Sequence, residues 1–337
     1  MAYFVAREVN FLYNDTGDEK DLRYILANAC FGINSDILLF ISYITDNTRI
    51  LQLFLTLTQQ LTDNWKEFDL DNNVPNFLKV HKAQELNAPG ENALKESKEK
   101  EVESEKQNSD KLTTIDIYDY KEEDADKFIN QVLRSLTLLT VISKCLPSFE
   151  HIMSGDMRDA FVKEIYSLPN KIYGVWSEDT DKYYKELIEY LKEHEQLEYN
   201  DLEPGKLSEV EIKFQISAIN LLLDIYNLAV SFSTKDNSYR FLDKFDRGTT
   251  ATYHLQHLMM MENQKMCSRF VSTAIDIVND REDVLSKHLV QRIVRHAMVY
   301  MPSLDYKERG KLVSQFFSKE GQRGMLLQRT KEAKIKH

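Results

Sequence analysis

The chain has 337 residues, 42% of them apolar and 29% charged, which is enough to bury a sizeable core. Its 10 Gly and 6 Pro are about half the usual share, which argues against β-sandwiches, β-propellers and glycine-cradled nucleotide sites and for helix. A formal net charge of -11 implies a soluble chain that, as a whole, repels nucleic acid and anionic membranes.

In chain order, Asp18 to Phe31 sets Leu22, Ile25, Leu26 and Ala29 on one helical face. Asn34-Ser35-Asp36 forms a cap cluster before Ile37-Leu38-Leu39-Phe40-Ile41. Asp46-Asn47-Thr48 caps a third helix through Ile50, Leu51, Phe54, Leu55 and Leu61, and Pro75 breaks the pattern. Between Glu85 and Thr114 the large apolar side chains are too sparse to bury a face, so residues 83–115 read as an acidic, disordered linker. They divide an N-terminal helical part, 1–82, from a main helical part, 116–337. Ser97, Ser104 and Ser109 lie among the linker's acids as candidate phosphorylation sites.

After the linker, Asp124 to Cys145 is helical and Pro147 is expected to stop it; Asp156 to Leu168 follows and Pro169 is expected to stop that. Thr180 to Leu197, Glu209 to Phe232, Thr249 to Met261, Gln264 to Val278, Glu282 to Met301 and Leu304 to Phe317 continue the rhythm, with a weaker basic helix at Gly321 to Ile335. Lys111 to Tyr120 is the one candidate strand. The fold class expected is all-α: stacked antiparallel helix pairs forming an α-solenoid or an irregular helical bundle.

Three cysteines, at 30, 145 and 267, are scattered among apolar residues and read as free thiols of a reducing compartment. The N-terminal residues lack the pattern of a signal peptide, and no uninterrupted apolar span reaches transmembrane length, so a cytoplasmic or nuclear location without membrane is expected.

Charge is uneven. Residues 83–126 hold 14 acidic residues against 6 Lys, whereas residues 281–337 hold 13 basic against 6 acidic. Lys287, Arg292, Arg295 and His296, with His288 one turn before Arg292, make one basic helix that could meet a phosphate or an acidic partner; a solvated basic face is the ordinary alternative. His254 and His257, three apart, have a metal-binding spacing but no third ligand nearby, and ordinary surface histidines share that spacing. Asp156, Asp159 and the Glu178-Asp179-Thr180-Asp181 cluster sit at expected helix starts, where acids cap. Met259-Met260-Met261 with Met266 suits either a plastic groove or core filling. No phosphate loop, nucleophile elbow or zinc-protease motif occurs, so no catalytic set, cofactor or metal is expected.

Tyr166, Tyr173, Trp176, Tyr183, Tyr184 and Tyr190 fall within 25 residues. Such rings carry interface energy or fill helix seams. Of these, Tyr173, Trp176, Tyr183 and Tyr184 are the candidate partner contacts.

The helix-pair rhythm resembles HEAT and armadillo scaffolds. The segment Phe161-Val162-Lys163-Glu164-Ile165-Tyr166-Ser167-Leu168-Pro169-Asn170-Lys171-Ile172 resembles the telomere length regulation protein family, with Asn170 where that family tends to place an acid. That resemblance implies a HEAT-type solenoid assisting the maturation of large phosphatidylinositol-kinase-like kinases. The function expected is a non-catalytic scaffold binding other proteins of a complex, with nucleic-acid binding through the basic C-terminal helices as the alternative. An all-helical enzyme near His254 and His257 ranks third.

Overall fold

The computed structural model describes residues 1–29, 33–79, 124–194, 209–235, 237–301 and 303–317. The expected linker at 83–115, the candidate strand, Cys30 and the basic helix at 321–335 lie outside the described residues. Thirteen helices and no strand occur among those described. The described residues form two compact units: those of 1–81 with 121–260, and those of 261–337. Residues 1–82 are therefore not a unit of their own, because helices from both sides of the 83–115 segment share one core.

In the first unit, α1 (Ala2–Thr16) buries Ala2, Ala6, Val9 and Tyr13, a helical stripe. It ends at Gly17, whose φ of 70° suits a residue without Cβ and whose N–H donates to Tyr13 O at 2.8 Å. Helix α2 (Lys20–Ala27) is short, and α3 (Asn34–Ile44) packs on α1 and α2. The Asn34-Ser35-Asp36 cluster does not cap α3 in the expected way: Ile33 holds the cap position, and the Asn34 amide donates instead to Asn28 O at 3.1 Å. Helix α4 (Thr48–Leu61) is capped by Asn47, as its sequence implies, with the side chain accepting from Arg49 N. Its Leu51, Phe54 and Thr58 are buried, and it packs on α6 and α7. Helix α5 (Asn76–Lys79) is a single turn.

Helices α6 (Asp124–Phe149), α7 (Gly155–His194) and α8 (Glu209–Ser233) each pack on the other two. Neither proline acts as a stop. Pro147 lies inside α6, and Pro169 lies inside α7, which runs 40 residues without a break. Proline lacks an N–H, so Pro169 leaves the carbonyl of Ile165 without its helical donor. The Gln256 amide, from α10, donates to that carbonyl at 2.7 Å, and Gln256 is fully buried. A side chain distant in sequence supplies the bond that the backbone lacks. Helices α9 (Tyr239–Lys244) and α10 (Ala251–Asn263) follow, and the boundary between the units falls within α10.

Two segments, Ile129–Phe149 and Glu209–Ser233, are long and apolar enough to cross a membrane by length and composition, which the sequence reading did not anticipate. Both are packed in the core of this unit, and the buried Gln215 of α8 donates to Phe77 O at 2.6 Å.

The second unit carries α11 (Cys267–Asp280), α12 (Val284–Tyr300) and α13 (Tyr306–Phe316). Asp283 caps α12, accepting from Ser286 N at 2.7 Å, and Asp305 and Glu308 form a capping box on α13. Arg309 reaches back to the end of α12, donating to Met298 O at 2.9 Å, Met301 O at 3.2 Å and Leu304 O at 3.1 Å. The bonds to Met298 O and Met301 O satisfy carbonyls that the C-terminus of α12 leaves open.

One glycine decides how the first unit closes. A Cβ on Gly174 of α7 would lie 2.1 Å from Lys66 O and 2.8 Å from Phe68 N. Only the bare backbone lets residues 66–68 lie against α7. Gly174→Ala is expected to destabilise the protein by about 3 kcal/mol, lowering the thermal midpoint by about 6 °C or more. Gly155→Ala, whose Cβ would meet only Arg158 Nη2 at 3.9 Å, is expected to leave the midpoint unchanged or slightly raised. Calorimetry of the two variants checks this.

Candidate functional site

The aromatic segment divides along α7. Tyr166 and Tyr173 are fully buried. Tyr173 meets Phe68 edge-on at 4.8 Å and Trp176 at 5.3 Å, so it belongs to the core, which corrects its expected role as a partner contact. Trp176 and Tyr184 are half-buried around Phe77, at 6.3 and 5.6 Å. Burial, helped by the Glu211 charge, pushes the Tyr184 hydroxyl up to about 12. Tyr183 and Tyr190, by contrast, are 57% and 55% exposed. They stand seven residues apart on one stripe, with exposed Glu186 between them.

The Glu178–Asp181 cluster does not open a helix, because α7 is continuous. Asp181 caps a distant one instead, accepting from Phe77 N at 3.1 Å and Asn76 Nδ2 at 2.6 Å. Asn170 holds the centre of this wall. Its Nδ2 donates to Tyr166 O at 2.9 Å, its Oδ1 accepts from Tyr226 OH at 2.5 Å, and its carbonyl accepts from Phe68 N at 2.9 Å. An aspartate could not make the first of these bonds, which is why an amide fits here.

Beside this wall, Glu67 accepts from Ser167 Oγ at 2.5 Å and from Tyr253 OH at 2.9 Å. Burial, then the Glu67 charge, raises the Tyr253 phenol, which stays protonated as a donor. These groups edge a cavity of about 420 Å³ lined by Lys66, Glu67, Asp69, Asn73, Thr250 and Tyr253, among others. Its acids are engaged internally: Asp69 accepts from Asp71 N at 3.0 Å and from Asn72 Nδ2 at 2.7 Å, and Asn73 Nδ2 donates to Glu67 O at 2.9 Å. The arrangement latches the 66–73 loop.

The two histidines of α10 do not converge. His254 Nε2 contacts Gly248 O at 3.2 Å, whereas His257 is buried between Tyr166 OH at 2.8 Å and Asp243 at 3.3 Å. No group of three or more His, Cys, Asp or Glu placed to hold a metal occurs among the described residues. Met260 and Met261 are core, and Cys145 is a buried free thiol.

On α12, Lys287 and Arg295 are exposed and Arg292 is half-buried. Arg292 Nε donates to Nε2 of the buried His288 at 3.1 Å, and burial, then the neighbouring Arg295, lowers its guanidinium below the usual range. His296 is exposed, bonds Glu262 through Nδ1 and stacks on Tyr300 at 4.2 Å.

The sequence reading missed a second aromatic face. On α1, Phe4 is 70% and Phe11 61% exposed, and Tyr3 meets Phe40 of α3 edge-on at 5.7 Å. The signal was present: at about 100° per residue, Phe4 and Phe11 stand opposite the buried stripe of α1.

No protein-family model, curated protein or solved structure matches this chain.

Glu164 provides a test of how the wall is held. Burial raises its carboxyl, against the opposing influence of Lys171 at 4.0 Å and Gln59 at 3.5 Å. The folded state therefore holds this proton more tightly than the unfolded chain. The stability it contributes is full below the unfolded value near pH 4.3 and declines as pH rises through the folded value. Glu164→Gln is expected to flatten the dependence of the thermal midpoint on pH above about 4. Equal slopes for the variant and the wild type would show that this carboxyl does not titrate with folding.

Proposed function

We propose that this protein is a non-catalytic helical scaffold or adaptor, a subunit of a multi-protein complex of the cytoplasm or nucleus. The observation that carries this reading is the stripe of Tyr183 and Tyr190, two exposed rings on the far half of a helix whose near half is locked into the core. Tyrosine at the centre of an interface is among the residues that dominate binding energy. On the same helix, half-buried Trp176 and Tyr184 pack on Phe77. The cavity's internally bonded carboxylates support a structural role over a catalytic one. A stack of HEAT or armadillo type suits such a scaffold; the mutual packing of α6, α7 and α8 favours an irregular bundle.

A second reading rests on α12. Exposed Lys287 and Arg295 beside a desolvated Arg292 favour an acidic partner or a nucleic-acid backbone.

A native pull-down at physiological salt, with and without nuclease, separates the two. The scaffold reading expects a stoichiometric set of proteins that survives nuclease and is lost with Tyr183→Ala/Tyr190→Ala, the fold being checked by circular dichroism. An undiminished set with that variant would refute the α7 stripe. Loss of the set on nuclease treatment would favour α12.

A further inference from the structure

We infer that the exposed stripe of α7 docks a basic segment of a partner protein, an arginine of which pairs with Glu186 between the rings of Tyr183 and Tyr190. This rests on the scaffold reading of the same stripe and adds the chemistry of the partner.

At about 100° per residue, Asp179, Tyr183, Glu186 and Tyr190 fall within an arc of about 60°. Their spacing of four, three and four residues alternates carboxylate and ring along one seam. Tyr183 and Tyr190 are 57% and 55% exposed, and Glu186 is exposed between them. Buried Ile188 lies on the opposite side of the same turns, so the seam faces away from the core of its unit.

Glu186 decides what can cover this seam. No ion pair of Glu186 occurs among the described residues. Lys182, at the edge of the stripe, lies 3.9 Å from Asp179, and Lys185 projects about 130° away from the stripe's centre. An apolar helix laid over the seam would strip water from Glu186 and return nothing to it, a heavy cost for an ionised group. An acidic segment or a phosphate backbone meets like charge: from 178 to 190, Asp181 apart, four acids stand against two lysines.

A cation reverses both effects. Tyr183 lies three residues before Glu186 and Tyr190 four after, about 4.5 and about 6 Å along the axis. A cation held by Glu186 is then within the reach of about 6 Å over which a ring face attracts it. Guanidinium serves both groups at once, since its edge donates to a carboxylate while its plane stacks on a phenol. An ammonium keeps the charge and loses the stacking plane, which makes arginine the fitting side chain.

Fluorescence anisotropy of the full chain would be read with a labelled alanine–glutamine peptide of about three heptads bearing arginine at the first and fourth positions of each. At physiological salt, a dissociation constant of about 10 to about 100 micromolar is expected, as suits so small a contact. Replacing the peptide's arginines by lysine is expected to weaken binding about threefold or more. Glu186→Arg, and separately Tyr183→Ala/Tyr190→Ala, are each expected to weaken it about tenfold. Tyr183→Phe/Tyr190→Phe keeps the ring faces and is expected to stay within about twofold of wild type. Glu8→Arg makes the same change of charge on the exposed side of α1 and is likewise expected to stay within about twofold. Circular dichroism confirms that each variant keeps its helix content. A wild type that ignores the peptide, equal binding of the lysine peptide, or a loss with Glu8→Arg equal to that with Glu186→Arg would overturn the inference. So would sedimentation in which the wild type self-associates and Glu186→Arg does not, since a second copy would then fill the seam. The native pull-down separates this inference from the reading beneath it. A protein set lost with Tyr183→Ala/Tyr190→Ala but undiminished by Glu186→Arg keeps the scaffold and overturns the basic partner. A set undiminished by both variants refutes both.

Discussion

The first unit depends on the docking of residues 66–78 against α7. At one point the contact is backbone on backbone, with the Lys66–Phe68 strip lying where a side chain on Gly174 would stand. Around it, polar groups that would be costly to bury alone are paired: Asn170 with Tyr166, Tyr226 and Phe68, Glu67 with Ser167 and Tyr253, and Asp181 with Asn76 and Phe77. A buried hydrogen bond adds little net stability, but leaving one partner unmatched costs about 1–3 kcal/mol. The seam therefore fixes register more than it adds affinity, since sliding the loop would orphan several groups at once. Phe77, inserted among Trp176, Tyr184 and Phe214, supplies the apolar side of the same seam.

This seam explains what was legible in the sequence and what was not. Apolar spacing located α4, α8 and α12 to within a few residues, because each shows its buried stripe in its own residues. The Asn47 cap was likewise local. Prolines 147 and 169 misled, because proline is judged by what its own helix loses, and the remedy for Pro169 stands on α10. The Glu178–Asp181 cluster does not cap the helix expected to start at Thr180; Asp181 caps the one that begins at Asn76. Tyr173 and Tyr183 are the same residue type on the same helix. Their opposite fates follow from what packs over each turn, which no local pattern records.

The basic helix shows the same limit in electrostatic form. Composition marks Lys287, Arg292, Arg295 and His296 as one patch. In the structure they hold different positions: two are open to solvent, Arg292 is half-withdrawn beside a buried histidine, and His296 is engaged with Glu262 and Tyr300. A charge that already holds a partner contributes less to steering a ligand than its sequence position implies. Any anion drawn to this helix meets chiefly Lys287 and Arg295.

Helix α1 is the place where stability and sequence choice part company. Its buried stripe already anchors it on α3, and its left-handed glycine ends it cleanly. Phe4 and Phe11 add nothing to either task. Helix propensity would be served as well or better by Glu, Lys or Ala at those positions. Each ring left in water forgoes about 1.5–3 kcal/mol of the burial free energy it could gain. Single exposed apolar residues need no explanation, but rings on one ridge opposite the core, separated by one arginine and one glutamate, form a pattern. A fold held together by its own seam can carry such a ridge without collapsing onto it.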